Sequence, residues 1–227
     1  MLHFDEIYAT AAHRKGGTAS LEKLLPKARS PRALRATGND RYLAAMTRCV
    51  FRAGFVWRVV QDKWPGFENA FAGFDPDAVR HYSDEALEAL AANPDIVRNL
   101  TKIRATRDNA AFVARIADEH GSFGAFLAAS PPGDVVSLWR ELKRGGARLG
   151  GNSGPFFLRE VGYDTFLLTD DVVASLVSQR IVARRPTSQR DLALTQEAFN
   201  TWHAQSGRPL CQLSRILSFT TGDNVVH

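Results

Sequence analysis

The stretch RYLAAMTRCVFRAGFVWRVVQDKW, residues 41–64, carries the longest helical pattern in this 227-residue chain. Its apolar residues, among them Met46, Val50 and Val60, recur at intervals that place them on one face of a helix. We therefore predict a helix over about residues 41–63, with Gly54 allowing a bend or a close contact. Asn39 and Asp40 are expected to cap its start.

Helical periodicity continues on both sides of this stretch, and almost no strand pattern is present. Ser83 and Pro94 bound one predicted helix, and Gly121 is expected to end another. Short helices are predicted between Pro65 and Tyr82. The remaining predicted helices lie at about residues 83–93, 99–120, 134–143, 156–166, 170–183, 188–205 and 209–219. The predicted fold class is all-α.

Composition favours one helical domain over residues 1–227, with room for two lobes and a basic linker at residues 26–40. No apolar stretch is long enough to cross a bilayer, and the start of the chain lacks an apolar signal core. We expect a cytoplasmic protein with no membrane partner. Cys49 and Cys211 have no paired spacing, which predicts two reduced thiols.

The chain has 29 Lys and Arg against 24 Asp and Glu, a net charge of +5. This balance suits a polyanionic partner such as DNA, although a mildly basic protein of another kind fits it nearly as well. Basic residues gather near positions 13–15, 27–35, 143–148 and 180–190. A solvated face is the alternative explanation for each group.

Three sequence blocks together resemble one protein family. The first block, residues 49–82, contributes Phe51, Ala53, Gly54, Trp57, Phe67, Phe71, Phe74, Asp75 and Pro76. The second block, residues 95–113, contributes Ile96, Arg98, Asn99, Lys102, Ile103, Asn109 and Ala110. The third block contributes Gly154, Pro155, Asp170, Val172 and Val173. In order and spacing these residues resemble the 3-methyladenine DNA glycosylase I family, within the helix-hairpin-helix glycosylases.

This resemblance implies a compact helical glycosylase fold with a helix-hairpin-helix element. It also implies a DNA repair enzyme that flips an alkylated purine, similar to 3-methyladenine, out of the duplex and hydrolyses its N-glycosidic bond without a cofactor. The implied partner is double-stranded DNA with a damaged base, and we expect a monomeric, monofunctional enzyme.

The chain departs from the family pattern at several positions. Aligning Trp57 with the family tryptophan puts Cys49 where the family has a base-reading glutamate. Asp171 and Ser175 fall where the family has a zinc-binding histidine and cysteine. No cysteine precedes Cys49, so we expect no zinc of the family type. A thiol in place of the glutamate predicts an altered base preference.

Base-binding candidates follow from the first block. Trp57 is the expected stacking platform, with Phe51, Phe55 and Trp64 as further aromatic candidates and Cys49 in the base-reading position. The alternative for Phe51, Phe55 and Trp64 is a place in the hydrophobic core, because their spacing is helical.

DNA-binding candidates lie in the hairpin ARLGGNSGP, residues 147–155, and in the second block. Closely spaced glycines let backbone N–H groups approach a phosphate. An ordinary turn between helices is the alternative. The expected DNA-binding residues are Arg148, Gly151, Asn152, Ser153, Gly154, Arg98 and Lys102.

Asp170 is the first catalytic candidate and Asp171 the second, as carboxylates that orient water or stabilise a cationic sugar. Helix-hairpin-helix glycosylases place an aspartate just before the corresponding helix, and that position holds Thr169 here. The alternative is that one of the two aspartates caps the helix.

Three other hypotheses remain open at this stage. The first is a related glycosylase with another damaged base as its substrate. The second is a catalytically silent protein that binds distorted duplex DNA. An unrelated helical scaffold is the third, and it would have Trp57 packed in its core.

Overall fold

The structure is a computed structural model that describes residues 1–54 and 57–222. This part of the chain is helical and contains no β-strand, which confirms the predicted fold class. The α-helices are α1 (Phe4–Arg14), α2 (Thr18–Glu22), α3 (Pro31–Arg35), α4 (Asn39–Arg52), α5 (Trp57–Asp62), α6 (Trp64–Ala70), α7 (Pro76–Val79), α8 (Asp84–Ala92), α9 (Leu100–His120), α10 (Phe123–Ala129), α11 (Val135–Gly145), α12 (Ser153–Glu160), α13 (Asp170–Ser178), α14 (Gln189–Ser206) and α15 (Leu210–Ser218). Two short 3₁₀ helices span Ala72–Phe74 and Pro132–Asp134.

Local capping signals explain the helices that the sequence located well. The Ser83 hydroxyl accepts a hydrogen bond from the Ala86 N–H at 3.2 Å and starts α8. The Asn99 side chain accepts from the Lys102 N–H at 3.1 Å and starts α9. Gly121, at φ +83°, ends α9 in the left-handed conformation that glycine adopts without a steric penalty.

The predicted helix over residues 41–63 is wrong in length, because α4 ends at Arg52. The Lys102 ammonium donates to the carbonyls of Phe51 at 3.1 Å and Ala53 at 2.5 Å, so a distant side chain satisfies the end of the helix. Gly54 then turns the chain at φ +78°. A new helix, α5, begins at Trp57.

The expected cap of α4 is also wrong, because Gly38 occupies the cap position and no side chain caps the helix there. The Asn39 side chain instead accepts a hydrogen bond from the Phe123 N–H at 3.0 Å. Asp40 lies in the first turn of α4, where its charge suits the helix dipole.

Three smaller boundaries also differ from the sequence expectation. The helix expected at residues 156–166 is α12, which ends at Glu160 before Gly162 turns the chain at φ +84°. Helix α13 ends at Ser178, close to Arg180 at φ +59°. The expected linker at residues 26–40 contains α3, whose start is capped by the Ser30 hydroxyl.

The chain divides into two compact units. The first unit comprises Met1–Arg29, Pro131–Ser137 and the described residues from Gly162 onward. In it α15 packs against α1, α13 and α14. Phe166 and Phe199 stack at 4.3 Å between ring centroids, and Trp202 meets Phe199 edge to face.

The second unit comprises Ser30–Ser130 and Leu138–Val161. Helices α4, α7, α8 and α10 pack against α9, and α12 packs against α4. Apolar faces of α4 and α9 meet through buried residues that include Leu43, Met46, Ile103 and Val113. The core of this unit therefore lies between its two longest helices.

Candidate functional site

Helices α4 and α12 of the second unit hold a cluster of charged side chains. Glu160, the last residue of α12, accepts hydrogen bonds from Arg48 at 2.8 Å and from Arg52 at 3.0 Å. The Cys49 thiol donates to the same carboxylate, with Sγ and Oε2 3.4 Å apart. Hydrogen bonds to an ionised group are stronger than neutral ones, so this arrangement fixes the position of the Glu160 carboxylate.

Cys49 is a neutral thiol in this cluster. Burial raises the pKa of the thiol well above its ordinary value, and the neighbouring Glu160 carboxylate raises it further. The two arginines act in the opposite direction with a smaller effect. A nucleophilic role for Cys49 therefore finds no support, because only the thiolate is reactive.

A cavity of about 760 Å³ opens beside this cluster. Its lining is mostly apolar. One side is formed by α4 and the residue that follows this helix, and the other by α12 and the residue that precedes it. The lining residues are Cys49, Arg52, Ala53, Asn152, Ser153, Phe156, Arg159 and Glu160. A mostly apolar cavity with a few convergent polar groups has the composition of a small-molecule or base site.

Phe156 was not a candidate in the sequence, and neither was Glu160. Phe156 lies in the cavity wall with 45% of its surface exposed, which is unusual for a phenylalanine. It precedes Glu160 by four residues, so both share one face of α12. The i, i+4 spacing of Phe156 and Glu160 was visible in the sequence. The contact between Glu160 and α4 joins residues 108 to 112 positions apart and could not be read from the sequence.

The two aromatic base-binding candidates lie in different environments. Phe51 is fully buried and packs its ring edge to face against Phe67, with 4.7 Å between centroids. Its ring has no exposed surface on which a base could stack, so Phe51 is a core residue. Trp57 is 57% exposed, with the Arg52 guanidinium 6.0 Å from its ring centroid. An unrelated scaffold with Trp57 in its core is therefore excluded.

Two further aromatic candidates are Phe55 and Trp64. Phe55 lies outside the described residues. Trp64 stacks on Phe67 and Phe74 at 5.5 and 5.2 Å, which places it in the aromatic cluster of the second unit.

The hairpin between α11 and α12 is held by one buried side chain. The Asn109 amide accepts a hydrogen bond from the Ala147 N–H at 2.7 Å and donates to the Ala147 carbonyl at 3.1 Å. At Gly154 a Cβ atom would lie 2.6 Å from the Leu149 carbonyl oxygen, so only glycine fits. Arg148 and Gly151 both adopt φ +59°. Asn152 and Ser153 enter α12 and also line the cavity.

Lys102 is not placed to contact DNA, which corrects the expectation from the second block. The residue is buried, and its ammonium is held by the carbonyls of Phe51 and Ala53. Burial lowers the pKa of this amine, and nearby Arg148 lowers it further. Arg98 is exposed, as a DNA contact requires.

Asp170 and Asp171 lie in the first turn of α13, in the first unit. The expectation that one of them caps the helix is wrong, because the Thr169 hydroxyl accepts the hydrogen bond from the Val172 N–H at 3.4 Å. The Asp170 side chain is 99% exposed and pairs with Arg185. Asp171 is partly buried, and its carbonyl accepts a hydrogen bond from the Thr221 hydroxyl at 2.8 Å.

Within residues 1–54 and 57–222, no three His, Cys, Asp or Glu side chains are grouped as a metal site needs. None of the helices in this part of the chain is both long and apolar enough to span a bilayer.

Comparison with known proteins agrees with the resemblance noted in the sequence. The methyladenine glycosylase family model matches residues 35–144, from the end of α3 into the last turn of α11. The resemblance noted in the sequence is thereby confirmed: over this segment the chain is similar to the methyladenine glycosylases. The match stops before α12, so Phe156 and Glu160 lie outside it.

Two solved structures are similar in fold to most of this chain. The 8-oxoguanine DNA glycosylase of Methanocaldococcus jannaschii matches 98% of this chain and 96% of its own length, with a TM-score of 0.57 and 14% identity. The 8-oxoguanine glycosylase/lyase of that organism, in complex with a 15mer DNA containing 8-oxoguanine, matches 98% of this chain and 100% of its own, with a TM-score of 0.53 and 13% identity.

A structure of 3-methyladenine DNA glycosylase I from Staphylococcus aureus is 23% identical over 56% of this chain and 77% of its own, with a TM-score of 0.49. The family match and the shared fold together support a DNA glycosylase.

Proposed function

We propose that this protein is a monofunctional DNA glycosylase that removes an alkylated purine, similar to 3-methyladenine, from double-stranded DNA. The observation that carries the proposal is the family match over residues 35–144, because this segment contains α4, one wall of the cavity. The similar structure solved with lesion-containing DNA supports DNA as the partner.

The reaction requires the damaged nucleotide to leave the base stack and enter a pocket. Water then forms a bond to C1′ of the sugar while the glycosidic bond breaks. The electron pair of the glycosidic bond leaves with the base. A cationic alkylated base departs as a neutral molecule, and the proton of the attacking water passes to solvent. Such a leaving group needs little acid catalysis, which suits a cavity whose one carboxylate is bound by two arginines.

Asp170 and Asp171 remain the proposed carboxylates for orienting water or stabilising the sugar cation. Both belong to the first unit, whereas the cavity belongs to the second. The exposed position of Asp170 leaves its carboxylate accessible to a substrate.

A lyase step is not part of the proposal. It would need an amine nucleophile to form a Schiff base with the sugar. The cavity lining contains no lysine within the described chain, and the Lys102 amine is bound to backbone carbonyls.

DNA is proposed to bind at the hairpin, through Arg148 and the backbone of residues 151–154, with Arg98 as a further cation. Backbone N–H groups at the start of α12 and the nearby guanidinium are suited to phosphate oxygens.

A second candidate function is a catalytically silent protein that recognises distorted DNA. The observation that favours it is the exposure of Asp170, because an enzyme usually holds its carboxylate in a water-excluded site.

Excess protein incubated with methylated duplex DNA separates the two functions. The glycosylase releases 3-methyladenine in a single turnover, and Asp170→Asn or Asp171→Asn slows the release. A silent binder shows salt-sensitive binding with no release by the wild-type chain, and that outcome overturns the proposal.

A further inference from the structure

The cavity wall formed by α12 carries two groups with complementary chemistry. Phe156 leaves 45% of its surface exposed, and Glu160 lies one helical turn later on the same side of the helix. Both belong to the second unit, and both line the 760 Å³ cavity. The i, i+4 spacing allows a flat heterocycle that stacks on the phenylalanine to reach the carboxylate with its edge.

The carboxylate is fixed but not saturated. An ionised carboxylate has about four acceptor positions. Arg48, Arg52 and the Cys49 thiol occupy three of them within the described chain. The Glu160 side chain keeps 21% of its surface exposed, which leaves room for one further donor.

Attraction of positive charge does not by itself select the base. Arg52 and Arg159 line the cavity together with Glu160, and Arg48 lies beside it. The cavity therefore presents charges of both signs. A base gains affinity here from presenting an N–H group to an oriented acceptor.

We propose that Phe156 and Glu160 are the specificity-determining pair, and that they select a damaged base carrying an exocyclic amino group. The base stacks on Phe156 and donates its amino hydrogen to Glu160, whose carboxylate Arg48 and Arg52 position. An oxo group at the same place would present an acceptor to an acceptor and would be rejected. This inference rests on the proposed function for the nature of the ligand.

Free 3-methyladenine and its oxo counterpart, 3-methylhypoxanthine, test the selection without any cleavage step. Binding to the full chain is measured by calorimetry at neutral pH. The wild-type protein is expected to bind the amino base roughly 10- to 100-fold more tightly than the oxo base, the range for a hydrogen bond to a charged group. Equal affinities, or preference for the oxo base, would overturn the proposal.

Two variants separate the roles of the pair. Glu160→Gln abolishes the amino preference, because an amide can donate as well as accept. Phe156→Leu weakens both bases by a similar factor, on the order of tenfold, and keeps the preference because only the stacking surface is lost. Glu68→Gln is the matched control, since Glu68 is a carboxylate paired with Arg41 outside the cavity. It should bind both bases as the wild type does.

Stability and activity measurements keep the outcomes distinct. Thermal melting identifies a Glu160→Gln variant that fails to fold. In that case the wild-type preference and the Phe156→Leu affinities decide the matter, because Phe156 is exposed and its truncation spares the core. Selective base binding without base release from DNA would refute the glycosylase and leave the recognition pair standing. If a folded Glu160→Gln variant releases amino and oxo bases from DNA in the same ratio as the wild type, the recognition pair is refuted and the glycosylase function stands.

Discussion

Replacing Lys102 with methionine should destabilise the protein without altering its DNA contacts. The ammonium donates to the Phe51 and Ala53 carbonyls at 3.1 and 2.5 Å, and methionine leaves both without this donor. Each lost hydrogen bond from a charged donor costs about 1.5–3 kcal/mol, and relief from burying the charge offsets part of that cost. We expect a net loss of about 2–3 kcal/mol, which lowers the melting temperature by roughly 4–12 °C for a chain of this size.

Urea unfolding and salt-dependent DNA binding measure the two effects separately. Arg98→Met is the matched control, because Arg98 is an exposed cation from the same sequence block. Arg98→Met should leave stability within about 0.5 kcal/mol and lower the slope of log affinity against log salt by about 1. Lys102→Met should lower stability by about 2–3 kcal/mol and leave the salt slope unchanged. A Lys102→Met protein as stable as the wild type but with a smaller salt slope would show that the amine binds phosphate after all.

Three further predictions follow from the packing. Asn109→Ala removes both side-chain hydrogen bonds to Ala147 and should lower the free energy of unfolding in urea by about 2 kcal/mol. The variant should also bind undamaged duplex DNA more weakly. Unchanged binding would show that the hairpin does not contact DNA. Burial raises the pKa of the Cys49 thiol, so iodoacetamide at pH 8 should not modify this residue in the native protein. In urea the thiol should be modified, and peptide mass spectrometry would detect the difference. Thr169→Ala should lower stability by about 1 kcal/mol through loss of the cap, while Asp170→Asn melts as the wild type does; equal losses would contradict the assigned cap.

Sequence patterns predicted the helices whose ends are set locally. Ser83, Asn99 and Gly121 mark boundaries that the structure reproduces, because each acts on backbone groups within a few residues. The end of α4 could not be predicted in the same way. It depends on the Lys102 amine, which is about fifty residues away in sequence.

The candidate site was only partly accessible to sequence reasoning. Family blocks pointed to Trp57 and Cys49, and the structure leaves the tryptophan exposed and places the thiol in the cavity wall. The Glu160 carboxylate that meets Cys49 comes from α12, outside the family match. Only the packing of α12 on α4 brings them together.

Base release from DNA tests the central claim most directly. The wild-type chain is held in excess over a labelled duplex carrying a methylated purine, at a concentration where binding is saturated, and free base is quantified by chromatography. We predict that free 3-methyladenine appears in one turnover, with strand scission only after alkali. An intact glycosidic bond in fully bound DNA would contradict the assignment of this protein as a glycosylase for this lesion.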